Sequence, residues 1–156
     1  MRYVIFFAAL FFSSVTYAAE RYAGYYFPGI TSEEVFDRTI IDVPPPSKEV
    51  RVRFVNTMTL SQLDAPEPPR FAIFAKGTNS DTLIMTALDD EIFKTLYRAR
   101  AQMAQLTASM RQTDFFRELN LDVEGTFFDM LQIMKFDDLV VTDGETWSHR
   151  VDFVRN

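Results

Sequence analysis

Arg70-Phe71-Ala72-Ile73-Phe74-Ala75-Lys76, Gly77-Thr78-Asn79-Ser80-Asp81 and Thr82-Leu83-Ile84-Met85-Thr86-Ala87-Leu88 follow one another in the middle of the chain. The outer runs are short and mostly apolar, and the loop between them combines Gly77 with small polar side chains. Two strand-like runs joined by a short glycine-containing loop read as a β-hairpin. The rest of the chain must be arranged around that hairpin.

On its C-terminal side, Asp89-Asp90 suits an N-cap and the positive end of a helix dipole. Ile92, Leu96, Ala99, Met103, Leu106 and Met110 then recur at steps of 4, 3, 4, 3 and 4. That spacing keeps them in one narrow wedge of a helix, so one face packs on a core. A second helical region is predicted from Thr113 to Met134, broken near Asn120 to Gly125, with Phe115, Phe116 and Leu119 before the break and Phe127, Phe128, Leu131 and Met134 after it. Leu139 to Thr142, Asp143-Gly144 and Glu145 to Phe153 close the chain, and Asp-Gly between strand-like runs is a strong hairpin signal.

The N-terminal side is less regular. Ala65-Pro66-Glu67-Pro68-Pro69 and Pro44-Pro45-Pro46 are stiff extended joints. Between them Val50-Arg51-Val52-Arg53-Phe54-Val55 alternates apolar and basic residues, the signal of a half-buried strand. Thr31-Ser32-Glu33-Glu34 has the form of a capping box, while Val35 to Ile41 reads equally as a strand, so residues 31–43 stay open between helix and strand. Residues 19–49 form an irregular segment that opens on Tyr22, Tyr25, Tyr26 and Phe27 beside Gly24, Pro28 and Gly29. Strands, then helices, then a hairpin predict one α+β domain over 19–156. It has a mainly antiparallel sheet packed against a long amphipathic helix and a second helical region.

Residues 1–18 read differently. Arg2 precedes an apolar run from Tyr3 to Phe12, and small residues follow at Thr16, Ala18 and Ala19. This is the layout of a secretory signal, with cleavage fitting best after Ala18. Ten apolar residues are about half of the ~20 that cross a bilayer. Export points to a bacterial periplasm, with a secreted product as the alternative. Losing Arg2 from 16 basic against 22 acidic residues leaves a mature charge of −7. Nucleic acid and anionic lipid surfaces select clustered basic residues, so both are excluded as direct partners, and any membrane contact is indirect. The chain has no cysteine. It can form no disulfide and no thiolate metal site, so stability must come from an apolar core, for which sixteen Phe are available.

No catalytic, metal or cofactor-binding motif stands out. His149 is the only histidine. With a two-residue loop at Asp143-Gly144 it would face Asp138, either as an acid–base pair or as an ordinary cross-strand pair. Asp89-Asp90-Glu91 and Asp137-Asp138 lack the spacing of a calcium loop. Arg98 and Arg100 lie about 200° apart on a helix and cannot clamp one phosphate unaided. The aromatic residues Tyr22, Tyr25, Tyr26 and Phe27 are the candidate partner surface, with packing on the core as the competing reading.

Three strings carry a resemblance: Tyr25-Tyr26-Phe27-Pro28-Gly29-Ile30-Thr31-Ser32-Glu33-Glu34, Phe71-Ala72-Ile73-Phe74-Ala75-Lys76-Gly77 and Thr95-Leu96-Tyr97-Arg98-Ala99-Arg100-Ala101. Together they resemble a small family of exported alphaproteobacterial proteins of unknown role, sometimes auto-named molybdopterin-guanine dinucleotide biosynthesis proteins. That name would imply a role connected with the molybdenum cofactor. A nucleotidyltransferase of that kind needs a glycine-rich loop followed by lysine, which this chain lacks, so no site residue is carried over. The expectation is a non-enzymatic periplasmic protein acting by contact with another protein, as an accessory or assembly factor of an envelope complex. The alternative is a small-ligand binder with aromatics lining a pocket between sheet and helices.

Overall fold

Alternating side chains and a glycine turn bring the central hairpin together in the register Phe71↔Ala87 to Lys76↔Thr82. The computed structural model of the protein describes residues 22–38 and 44–154. The export segment 1–18, its cut after Ala18 and residues 39–43 of the undecided stretch lie outside the described residues. In chain order the elements are β1 (Ser32–Phe36), α1 (Lys48–Leu63), β2 (Phe71–Lys76), β3 (Thr82–Ala87), α2 (Leu96–Arg111), α3 (Asp114–Glu118), α4 (Phe127–Ile133), β4 (Asp138–Thr142) and β5 (Ser148–Phe153). The protein is α+β, and its strands form one sheet in the order β1-β5-β4-β3-β2. Among the described residues no helix is long and apolar enough to cross a membrane.

Both hairpins read from sequence are the antiparallel pairs of this sheet. They are joined through a parallel β3–β4 pair, and β1 adds to the edge parallel to β5. The sheet is therefore mixed. Periodicity reports which face a side chain occupies, not the direction of the neighbouring strand.

Each sheet face is covered by different material. Ile73, Leu83, Met85, Leu139, Val141 and Val151 face the helices and meet Phe93, Met103, Phe116, Phe127 and Leu131 in the main core. On the other face Phe74, Ile84 and Val140 lie under Tyr22, Tyr26, Phe27 and Ile30, so a short N-terminal strap takes the place of a second layer.

Residues 50–55, expected as a strand, lie inside α1. The alternating reading took Arg51 as solvent-facing, but it is buried, with Val55 one turn later and Phe54 and Met58 partly buried. Its guanidinium donates to the carbonyls of Asn79 at 2.7 and 3.1 Å and of Pro46 at 3.1 Å. A buried arginine satisfied by carbonyls breaks a pattern that assumes charges face water.

Ser32–Phe36 is a strand, and the capping box at Thr31 does not form: the Thr31 hydroxyl donates to the Ser148 carbonyl at 2.6 Å. Helix α2 carries the expected stripe, burying Ala99, Met103 and Met110. It starts at Leu96, capped by Thr95, because Asp89 is engaged by Arg70 and by the Glu91 amide. Buried Ile92 and Phe93 therefore belong to the turn before the helix. The break between α3 and α4 depends on Gly125: a Cβ there would lie 2.5 Å from the Leu121 carbonyl oxygen. Thr126 and Asp129 then form the capping box that starts α4.

Asp143-Gly144 does mark the C-terminal turn, as the first two residues of a five-residue loop, 143–147. One Asp143 carboxylate oxygen accepts from the amides of Glu145, Thr146 and Trp147 at 2.8 to 2.9 Å, which favours a wider turn over a two-residue one. The register moves with it. His149 faces Val141, and Asp138 faces Asp152, so the expected Asp138–His149 pair does not exist.

Candidate functional site

Residues 22–27 fold into a tight turn, with the amides of Tyr25 and Tyr26 both donating to the Tyr22 carbonyl at 3.0 Å. Gly24, at φ +78°, supplies the left-handed backbone this turn needs. The four residues expected as a partner surface are brought together but take different parts. Phe27 is 4% exposed and packs on Ile84 and Val140. The Tyr22 hydroxyl accepts from the Gly77 amide at 2.6 Å. Tyr26 lies against Phe74, with its centroid 5.6 Å away, and the Lys76 ammonium sits 4.3 Å from its ring. Tyr25 alone points out: it is 80% exposed and stands edge-on against Tyr26 at 4.6 Å.

The second cluster surrounds His149, which is 3% exposed. Parallel pairing sets Ser32 opposite it, and Glu34, two residues on, shares that face. Ser32 Oγ lies 2.9 Å from Nδ1, and Glu34 Oε1 lies 3.4 Å from Nε2. Arg100 of α2 donates to the other Glu34 oxygen at 2.7 Å, and Trp147 stacks parallel to the imidazole with centroids 6.2 Å apart. Burial opposes ionisation of Glu34, but hydrogen bonding and charge from Arg100 and His149 outweigh it and hold the carboxyl below its ordinary value. The series has the order of an acid–base relay ending on a hydroxyl. The same contacts interlock side chains from β1, β5 and α2 and so fasten the edge strand. The alternation of Ser32, Glu34 and Phe36 was visible in sequence, but their parallel pairing with the C-terminal strand was not.

On the strap side, Asp138 faces Asp152 across β4 and β5. Burial chiefly, together with Asp152 and against a hydrogen bond to Thr82, pushes its carboxyl up from 3.8 to about 6. Several of the other charged residues singled out in sequence form ion pairs. Asp89 pairs with Arg70, Glu91 with Lys94 and Arg98, and Arg100 with Glu34, so Arg98 and Arg100 serve different partners. Among the described residues no three His, Asp or Glu side chains are placed to hold a metal ion.

Two concave features accompany these clusters. One is a dent of about 310 Å³ on the outer surface of α1, lined by Lys48, Glu49, Val52, Arg53 and Asn56. The other is a groove of about 370 Å³ between α2 and the first turn of α4. Neither includes Ser32 or His149. Sequence reasoning missed the groove because its walls come from two helices whose juxtaposition is purely tertiary.

Compared with family models, with curated proteins and with solved structures, the chain matches none.

Proposed function

We propose that the protein acts by contact with another periplasmic protein, without chemistry of its own, as an accessory or assembly factor of an envelope complex. The presentation of Tyr25 carries this reading. Its neighbours in the turn are fixed by Phe27 in the core, the Tyr22 hydroxyl on Gly77 and Tyr26 on Phe74, while its own ring stays 80% exposed. A rigid, outward aromatic on an anchored turn loses little freedom when a partner covers it, and tyrosine is enriched at such contact centres. The export signal read at residues 1–18 supplies the compartment.

The test is capture of partners from solubilised membranes by the tagged, exported chain, with Tyr25→Ser beside the unaltered protein. Partner recovery should fall about tenfold, and because Tyr25 buries so little the melting temperature should hold. A partner captured equally by both proteins would remove Tyr25 from the surface.

A further inference from the structure

From the groove between α2 and α4 we infer a binding site for the carboxylate of a medium-chain fatty acid. Met103, Ala104 and Ala108 of α2 form one apolar wall, and Phe127 and Phe128 of α4 form the other. Arg111 stands at the groove's end, its Nε donating to the Gly125 carbonyl at 2.8 Å, which fixes the guanidinium in place. Nε is thereby used, and the edge carrying the two Nη groups is left to receive an anion.

Among the described arginines Arg51, Arg53 and Arg111 have no carboxylate partner, and of these three only Arg111 lines this groove. Arg38, Arg70, Arg98, Arg100, Arg117 and Arg150 each pair with a carboxylate. Arg111 pairs with none among the described residues, although the protein carries six more acidic than basic groups. One turn earlier on the same helix face, the Thr107 hydroxyl accepts from the Phe127 amide at 2.9 Å. Its own proton has no acceptor among the described residues. A cation at the groove's end and a hydroxyl donor one turn along it thus both line the groove.

From Arg111 back to Met103 the groove follows α2 for about 12 Å, at 1.5 Å per residue. It leads from Arg111 past the Thr107 hydroxyl to the thioether side chain of Met103. An anionic head on an unbranched apolar tail matches both ends. The flat Nη edge pairs naturally with a carboxylate, whereas a doubly charged phosphate would leave a charge unmatched beside a single arginine. About 370 Å³ lies at the small end of ligand sites, and ~12 Å of helix accommodates a tail of about eight to ten carbons.

The site is separate from Tyr25 and stands without the contact reading. It is tested by calorimetric titration of sodium decanoate into the full exported chain, with decanol and acetate as probes lacking one half of the ligand. Decanoate should bind with a micromolar Kd, and decanol and acetate at least tenfold more weakly. Arg111→Met keeps the apolar wall and should lose at least tenfold in decanoate affinity. Ala104→Phe fills the groove from an exposed position and should abolish binding even if Arg111→Met fails to fold. Tyr25→Ser should bind decanoate unchanged. Equal affinities for decanoate and decanol, saturable decanoate binding by Ala104→Phe, or no heat with the unaltered protein up to millimolar decanoate would each overturn the assignment.

Discussion

Replacing Asp138 with asparagine removes a charge that the fold disfavours. The carboxyl lies between β3 and β5, opposite Asp152 and beside Thr82, and burial with the facing carboxylate moves it from 3.8 to about 6. Because the folded value is the higher one, the native state binds this proton more tightly than the unfolded chain. Stability from this group is therefore fully present below about 3.8 and is lost as pH rises through about 6. At ~1.36 kcal/mol per pH unit, the interval from 3.8 to about 6 amounts to about 3 kcal/mol at neutral pH. That is a ceiling, in which the opposing attraction of Arg150 is already included. Asparagine has the same shape, can still bond Thr82 and never ionises. Asp138→Asn should therefore be about 1–3 kcal/mol more stable at pH 7 and nearly equal at pH 4. Urea denaturation of both proteins at pH 4, 5, 6 and 7 measures this directly, with unchanged m-values confirming the same unfolding reaction. The difference between the two curves cancels every other titrating group. Parallel curves across the range, or a variant less stable at pH 7, would refute the account of Asp138.

His149→Ala should loosen the edge strand more than the rest of the sheet. It strips Ser32 and Glu34 of their shared partner and costs about 1–3 kcal/mol, and amides of β1 should exchange faster while those of β2 and β3 keep their protection. Uniform loss of protection, or none, would contradict the fastening role. Periplasmic protein should begin at Ala19, as N-terminal sequencing can establish; a chain retaining Met1 or Arg2 in that fraction contradicts the signal reading.

Where local signals and tertiary neighbours agree, the chain was readable. The central hairpin, the stripe Ala99, Met103, Met110 and the break at Gly125 each rest on contacts within a short stretch, and each appears where the pattern put it. Failures occurred where a hydrogen bond that the pattern does not show changed a residue's meaning. Arg51 looked solvent-facing until the carbonyls of Asn79 and Pro46 made it a core residue, which turned a strand pattern into a helix. Asp143 looked like half of a two-residue turn, yet its carboxylate gathers three amides and so shifts the register that decides what His149 meets. The groove had no local signature, and the aromatic cluster that marked Tyr25 did not show which of its rings stays exposed, since Phe74 and Lys76 come from far along the chain.

The unequal covering of the two sheet faces ties these features together. Helices supply a continuous apolar layer over Leu83, Met85, Leu139 and Val141, and polar groups enter that face only toward the β1 edge, where His149 stands opposite Val141. The strap covers only the middle of the other face, over Phe74, Ile84 and Val140. Beside that covered middle, Asp138 lies sheltered enough to resist ionisation but too near Asp152 and Arg150 to be apolar. Above it, Tyr25 has no further layer to pack beneath and stands in water. A partner covering the strap would complete the missing layer, and it would bury the Tyr25 ring before any other aromatic of the segment.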